Sequence, residues 1–183
     1  VWTSPEIKDA RAIPGLFLVD GVLLLQVGGA VEVQGITVQT TITTSGTTTT
    51  TYKSINYQNV KPYNVQAFNV ADGKQIWESD RFKKGISNMF LNGKDLLVCS
   101  GKALYNVDYK TGKEKYEVSL EEDDISLAEK IIDPTTLGEN VSKDNVIIIG
   151  SKGVSAHNMK TGAKVWANRT KSGDFNGIYG TTA

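Results

Sequence analysis

Cysteine, histidine and net charge are the scarce commodities of this chain, and each shortage closes off a class of protein. A single cysteine, Cys99, permits no internal disulfide, so the fold is not a disulfide-stapled scaffold. It lies within Leu96-Leu97-Val98-Cys99 with no basic neighbour in sequence, and reads as a small buried hydrophobe rather than a reactive thiol. The sole histidine, His157, has no second histidine with which to share a metal and no serine or cysteine at a fixed motif to activate. Twenty basic residues balance twenty acidic ones, which leaves no net field to attract a phosphate backbone and argues against nucleic acid as a partner. The most apolar stretch, residues 15–29, is broken by Asp20, Gly21, Gly28 and Gly29, too short and too interrupted for a transmembrane segment. The opening Val1-Trp2-Thr3-Ser4-Pro5-Glu6 lacks the basic end and apolar run of a signal peptide, as a mature or excised chain also would.

What the chain does have is a phrase written three times: Asn69-x-x-x-Gly73-x-x-x-Trp77, Asp108-x-x-x-Gly112-x-x-x-Tyr116 and Asn158-x-x-x-Gly162-x-x-x-Trp166. An acid or amide precedes each glycine by four positions and a large aromatic follows by four, which marks one supersecondary unit reused. Around each copy the pattern reads as four strands. Apolar runs at Val22-Leu23-Leu24-Leu25, Leu96-Leu97-Val98-Cys99 and Val146-Ile147-Ile148-Ile149 are followed by turns at Gly28-Gly29, Ser100-Gly101-Lys102 and Ser151-Lys152-Gly153. A weaker strand precedes each run, ending at Asp20-Gly21, at residues 92–95 and at residues 143–145. The unit is a four-stranded antiparallel meander, and the fold class is all-β.

The repeated residues have local physical roles. A side-chain oxygen of Asn69, Asp108 or Asn158 can fold back onto amides two or three residues ahead and start a turn. The glycine four positions on takes the positive φ that ends the loop in a bulge. The aromatic then lies in the outgoing strand, where a large flat ring covers the side of the next meander. His157 aligns with Phe68 and Val107, just before the Asx residue, which makes it a packing position of the repeat.

This pattern resembles the pyrroloquinoline-quinone-type β-propeller repeat, in which a strand ends in Asp, a Thr-Gly-Lys turn follows, and a Trp comes next. Here it stands as Leu104-Tyr105-Asn106-Val107-Asp108-Tyr109-Lys110-Thr111-Gly112-Lys113 with Tyr116, as Asn158-Met159-Lys160-Thr161-Gly162-Ala163-Lys164-Val165-Trp166, and as Phe68-Asn69-Val70-Ala71-Asp72-Gly73-Lys74-Gln75-Ile76-Trp77. WD40 repeats would place Asp after the Trp, whereas Glu78 and Ala167 stand there. The resemblance implies that each aromatic docks against the neighbouring blade, with Tyr116 replacing the usual Trp. The structural repeat positions are then Trp2, Asn69, Gly73, Trp77, Asp108, Gly112, Tyr116, Asn158, Gly162 and Trp166. No catalytic, cofactor-binding or metal-binding residue is assigned.

Blade counting gives a partial propeller. The aromatics are 75, 39 and 50 residues apart, and a bare blade takes about 40–45. The expected division is a blade end at residues 1–8, blades at 9–80, 81–120 and 121–170, and the start of another at 171–183. Three blades plus fragments fall short of a closed ring of about four or more, so the chain is expected to be part of a larger propeller, completed in cis or by a second copy. The first blade carries an insertion at residues 31–62, in which residues 40–51 hold nine threonines in twelve. Alternation at Val31-Glu32-Val33-Gln34 and Ile36-Thr37-Val38-Gln39 points to a long β-hairpin. A tip at Ser45-Gly46 would pair Ile36 with Ile55 and Gln34 with Tyr57. The third blade carries an insertion at 121–143. Its four consecutive carboxylates, Glu121 to Asp124, read as a solvated connector because adjacent side chains cannot converge on one ion. Residues 126–132 fit either a short helix or one strand.

Functionally the resemblance implies, first, a non-catalytic binding or scaffold propeller outside the cytoplasm, as in family members that assemble outer-membrane proteins or serve as extracellular sensors. A protein partner is then expected, with the 31–62 hairpin as a projecting contact surface. It also allows a fragment of a quinone-dependent dehydrogenase. A third class is a carbohydrate-binding or adhesive surface protein using the threonine-rich arm.

Overall fold

A computed structural model describes residues 3, 12–120, 128–132, 144–150 and 153–169. Among these are twelve strands and no helix. They run β1 (Gly15–Val19), β2 (Val22–Thr43), β3 (Gly46–Asn69), β4 (Gln75–Glu78), β5 (Asn88–Asn92), β6 (Asp95–Ser100), β7 (Ala103–Asp108), β8 (Glu114–Ser119), β9 (Ala128–Ile132), β10 (Asn145–Gly150), β11 (Gly153–Asn158) and β12 (Lys164–Arg169). Each consecutive set of four forms one antiparallel meander sheet, in spatial order β1-β2-β3-β4, β5-β6-β7-β8 and β9-β10-β11-β12. Residues 128–132, compatible in sequence with helix or strand, are strand. Trp2, residues 1 and 4–8, the 171–183 segment and the acidic run 121–124 lie outside the described residues.

The sheets stack face to face. Alternation along a strand sends successive side chains to opposite faces, and both faces of the middle sheet are used. Leu96, Val98 and Val107 join Leu24, Val65 and Ala67 of the first sheet in one core. Leu97, Cys99 and Leu104 join Val146, Ile148 and Met159 of the third sheet in another. This double burial explains why Leu96-Leu97-Val98-Cys99 is a continuous apolar run, where a half-buried strand would alternate. Cys99 is fully buried, and desolvation pushes its thiol up to about 12, an inert group in a packed seam.

In the first sheet the second and third strands continue beyond the meander. After the shared section, β2 and β3 pair from Gly29↔Val60 to Thr43↔Gly46 without a further register shift. At roughly 3.3 Å per residue this ribbon is about 50 Å long. Two details differ from the sequence-based expectation. Gly28-Gly29 is a bulge inside a continuous strand and not a turn: the register shifts between Val27 and Gly29, with φ of 77° and 103°. A Cβ on Gly28 would overlap the carbonyl oxygens of Pro62 and Val60, and one on Gly29 the carbonyl of Ile86. Glycine is therefore required by backbone crowding where the arm leaves the blade. The tip is Thr44-Ser45, with Thr43 opposite Gly46, so Ile36 faces Lys53 and Gln34 faces Ile55. The Thr43 hydroxyl donates to the Gly46 carbonyl at 3.0 Å and lies 3.0 Å from the Ser45 hydroxyl. These bonds favour closing the loop one residue earlier than glycine placement alone implies.

Candidate functional site: blade seams and the projecting ribbon

Each repeated turn is built by the same bonds. The Asp108 carboxylate accepts from the amides of Lys110 and Thr111, both at 3.0 Å, and from the Thr111 hydroxyl at 3.1 Å. Asn158 repeats this with Lys160 and Thr161 at 3.1 Å, and Asn69 accepts from Ala71 at 2.8 Å. Gly73, Gly112 and Gly162 have φ of 72°, 71° and 72°, and each donates its amide to the carbonyl of its Asx residue at 2.8–2.9 Å. The register shifts at one place in every copy, between Ala67 and Phe68, Asn106 and Val107, and Ala156 and His157. That shift sets Trp77, Tyr116 and Trp166 opposite Ala67, Asn106 and Ala156.

The aromatic of one sheet seats on the glycine of the next. A Cβ on Gly112 would lie 2.7 Å from the Trp77 ring, and one on Gly162 would lie 2.9 Å from the Tyr116 ring. The ring also donates a hydrogen bond across the seam, to the residue after the Asx. Trp77 Nε1 reaches the Tyr109 carbonyl at 2.9 Å, and the Tyr116 hydroxyl reaches the Met159 carbonyl at 2.7 Å. Tyr replaces Trp at the second copy because both carry an apolar ring with a donor at its far end. Burial raises the Tyr116 hydroxyl to about 12 and keeps it a donor. Asn106 adds a second bond to the Met159 carbonyl, at 2.9 Å, where the other two sheets have alanine. Trp166 occupies the same register on the third sheet, on the face opposite Val146 and Ile148, and is 42% exposed. Gly73 is buried. The spacing motif contained the partners of each seam; it did not show that glycine serves both as a positive-φ residue and as the seat of a ring.

His157 is 1% exposed, with Nδ1 3.0 Å from the Gly162 carbonyl and Nε2 3.0 Å from the Ser155 hydroxyl. Both ring nitrogens are engaged in tying the turn to its strand. Among the described residues no three His, Cys, Asp or Glu side chains converge as metal ligands. An open cleft of about 1030 Å³ lies between the segment linking the first two sheets and the outer strands of the second, with Arg81, Lys84, Lys102, Tyr105, Glu114 and Glu117 in its wall. The Tyr105 hydroxyl donates to Glu117 at 2.8 Å. A smaller hollow of about 380 Å³ at the inner strands has Gln26, Ser87 and Asn88 as its polar lining, and Gln26 Nε2 donates to the Gly28 carbonyl at 3.0 Å.

The family model described as outer membrane protein assembly factor BamB matches residues 33–181. This chain belongs to the BamB family. Its three sheets are thus consecutive blades of a β-propeller, and the seams described above are the inter-blade contacts. Two computationally designed proteins share the fold: Ika8, at TM-score 0.53 and 12% identity, over 89% of this chain and 38% of its own length, and Ika4, at 0.54 and 11%, over 93% and 80%. BamB from Moraxella catarrhalis is 14% identical over 92% of this chain and 50% of its own length, with a TM-score of 0.44. The chain therefore spans half the length of that BamB and less than two fifths of Ika8. No curated protein sequence matches the chain.

What sets the first blade of this BamB-family chain apart from the other two is the ribbon. Every residue from 36 to 54 is exposed, including Ile36 at 68%, Val38 at 59% and Ile42 at 79%. From Val33 to Tyr52 there is no charged side chain, although 22% of the whole chain is charged. The blade supplies the base, and the ribbon presents seven uncharged residue pairs, Thr37↔Tyr52 to Thr43↔Gly46, to solvent.

Proposed function

We propose that this chain is a non-catalytic binding propeller that acts outside the cytoplasm in the assembly of outer-membrane proteins, with its ribbon as a protein-contact arm. The observation that carries this reading is the exposed ribbon, charge-free from Val33 to Tyr52, seated on a blade by two glycines that accept no side chain. Solvent exposure of Ile36, Val38 and Ile42 is unfavourable for a free surface and favourable for one that becomes covered. The family assignment supports the assembly role through the name of its reference member. The inner hollow supports a non-catalytic reading over a quinone dehydrogenase: among the described residues its lining offers amide and hydroxyl groups but neither cations nor carboxylates, which poorly suits a polyanionic quinone and its metal.

Two measurements test the proposal. A photo-crosslinking residue in place of Ile42, in cells expressing the intact protein, is expected to trap a specific protein adduct that is lost when the probe sits at the blade position Lys94. A probe at Ile42 that traps nothing beyond the Lys94 background overturns the contact arm. Titrating the intact protein with pyrroloquinoline quinone and calcium is expected to give no stoichiometric binding and no dye reduction. Saturable binding with turnover overturns the non-catalytic reading.

A further inference from the structure

Native sheets protect an exposed edge with lysines, prolines, bulges, inward charges or a covering element, because unpaired amides and carbonyls recruit further strands. Outward of the Ile36–Lys53 pair the ribbon uses none of these. Residues 33–52 contain no charge and no proline, the only register shift lies at its base between Val27 and Gly29, and residues 36–54 are exposed throughout. Beyond the blade, β2 and β3 pair only with each other among the described strands, so every second residue of each strand turns its backbone groups outward. A two-stranded ribbon is by itself marginal in water and gains most from additional strands.

We propose that the ribbon is a self-association device: the outer edge of β2 pairs antiparallel with the same edge of a second copy of this chain, giving a four-stranded sheet across a two-fold axis. This rests on the contact-arm reading and names its partner. The charge pattern favours a second copy. A foreign strand would need an equally uncharged stretch, whereas another copy supplies one of matching length and composition, with no like charges to juxtapose. The residue pattern fits an isologous pairing, in which the same patch serves both copies. With the axis at Gln39, Ile36 of one copy falls opposite Ile42 of the other, and Val38 opposite Thr40. All four alternate onto one face of β2, so the joined sheet acquires one continuous stripe of β-branched side chains at its centre. Cross-strand pairs of β-branched residues are the contacts that stabilise such a sheet.

The test is sedimentation equilibrium of the intact protein over about 1–100 μM, which reaches the weak end of the micromolar-to-picomolar span of protein interfaces. Wild type is expected to show a monomer–dimer equilibrium. The double variant Val38→Lys/Ile42→Lys is expected to weaken it at least about tenfold by placing charge on the edge. Thermal unfolding checks that the variant folds, since both sites are exposed. Leu16→Lys, on the exposed face of β1 away from the second sheet, is expected to leave the dimer intact. The proposal is overturned by a wild type that stays monomeric to 100 μM, by a dimer that survives the double variant, or by one lost only with Leu16→Lys. A monomeric wild type whose Ile42 probe still traps a different protein would overturn self-association while leaving the contact-arm reading standing.

Discussion

Gly112→Ala isolates the seam between the first two blades, because that glycine meets two demands at once. Its φ of 71° costs an L-residue about 1–2 kcal/mol. The added methyl would also sit 2.7 Å from the Trp77 ring, inside any normal contact. Trp77 can yield only by giving up its 2.9 Å bond to the Tyr109 carbonyl, worth about 1 kcal/mol. The single substitution should therefore cost about 2–4 kcal/mol, more than the conformational penalty alone. Trp77→Ala should cost about 2–4 kcal/mol by itself, at the lower end for a large core ring because Trp77 is only partly buried. With the ring gone, Gly112→Ala should fall back to its conformational cost of about 1–2 kcal/mol, so the double-mutant cycle should show a coupling of about 1–2 kcal/mol. The assay is urea unfolding of wild type, both single variants and the double variant. A Gly112→Ala cost below 0.5 kcal/mol, or energies additive within about 0.5 kcal/mol, would refute the claim that ring and glycine are seated together.

Two pH-dependent predictions follow from the same geometry. The Tyr116 hydroxyl, raised to about 12 chiefly by burial, stabilises the fold while protonated. Its contribution is fully present below the ordinary tyrosine value near 10 and is lost as pH rises towards 12. Tyr116→Phe should cost about 1 kcal/mol at pH 7 and flatten the alkaline decline in urea stability between pH 10 and 12; an unchanged slope would contradict the buried donor. Tyr105, raised to about 12 by burial and its bond to Glu117, supplies a second part of that decline. Asp108 is lowered: its partial burial works against the charge but is outweighed by the Thr111 amide and hydroxyl, the Lys110 amide and Lys115. Its stabilisation is present above the ordinary carboxylate value and disappears as pH falls through the lowered one. Asp108→Asn, the residue type found in the other two turns, should change stability at pH 7 by less than about 0.5 kcal/mol and reduce the loss on acidification to pH 3. A large loss at pH 7 would show that the charge, not the turn geometry, holds that loop.

The blades were legible in the chain because their rules are local. An Asx oxygen reaches amides two and three residues on, a glycine takes positive φ, and alternation separates two faces, so strands β5 to β8 fall almost residue for residue where the repeat puts them. His157 was legible for the same reason: its alignment with Phe68 and Val107 marks a packing position, and its two bonds show how a polar ring fills it. What depended on contacts between distant residues was not legible. Nothing in Gly112 announces that Trp77 rests on it, and nothing in Tyr109 or Met159 marks their carbonyls as acceptors for a ring one blade away. The ribbon shows the boundary between the two cases. Its existence followed from alternation, but threonine runs are nearly degenerate in register, so the one-residue shift of the tip, and with it the two-residue shift in pairing, was decided by bonds of the Thr43 hydroxyl. Gly28-Gly29 read as a turn because two glycines normally end a strand; here crowding by the Pro62, Val60 and Ile86 carbonyls makes them the bulge through which a strand continues.

The proposed scheme divides labour between blades that fold and an arm that binds. Replacing Thr37 to Tyr52 by Asn-Gly tests it directly, since this shortens the ribbon to a stub closed by a favourable hairpin turn. The expected result is a thermal midpoint within a few degrees of wild type, because no residue removed is buried, together with loss of the sedimentation dimer. A cooperative collapse of the shortened chain, or a dimer equilibrium identical to wild type, would contradict it.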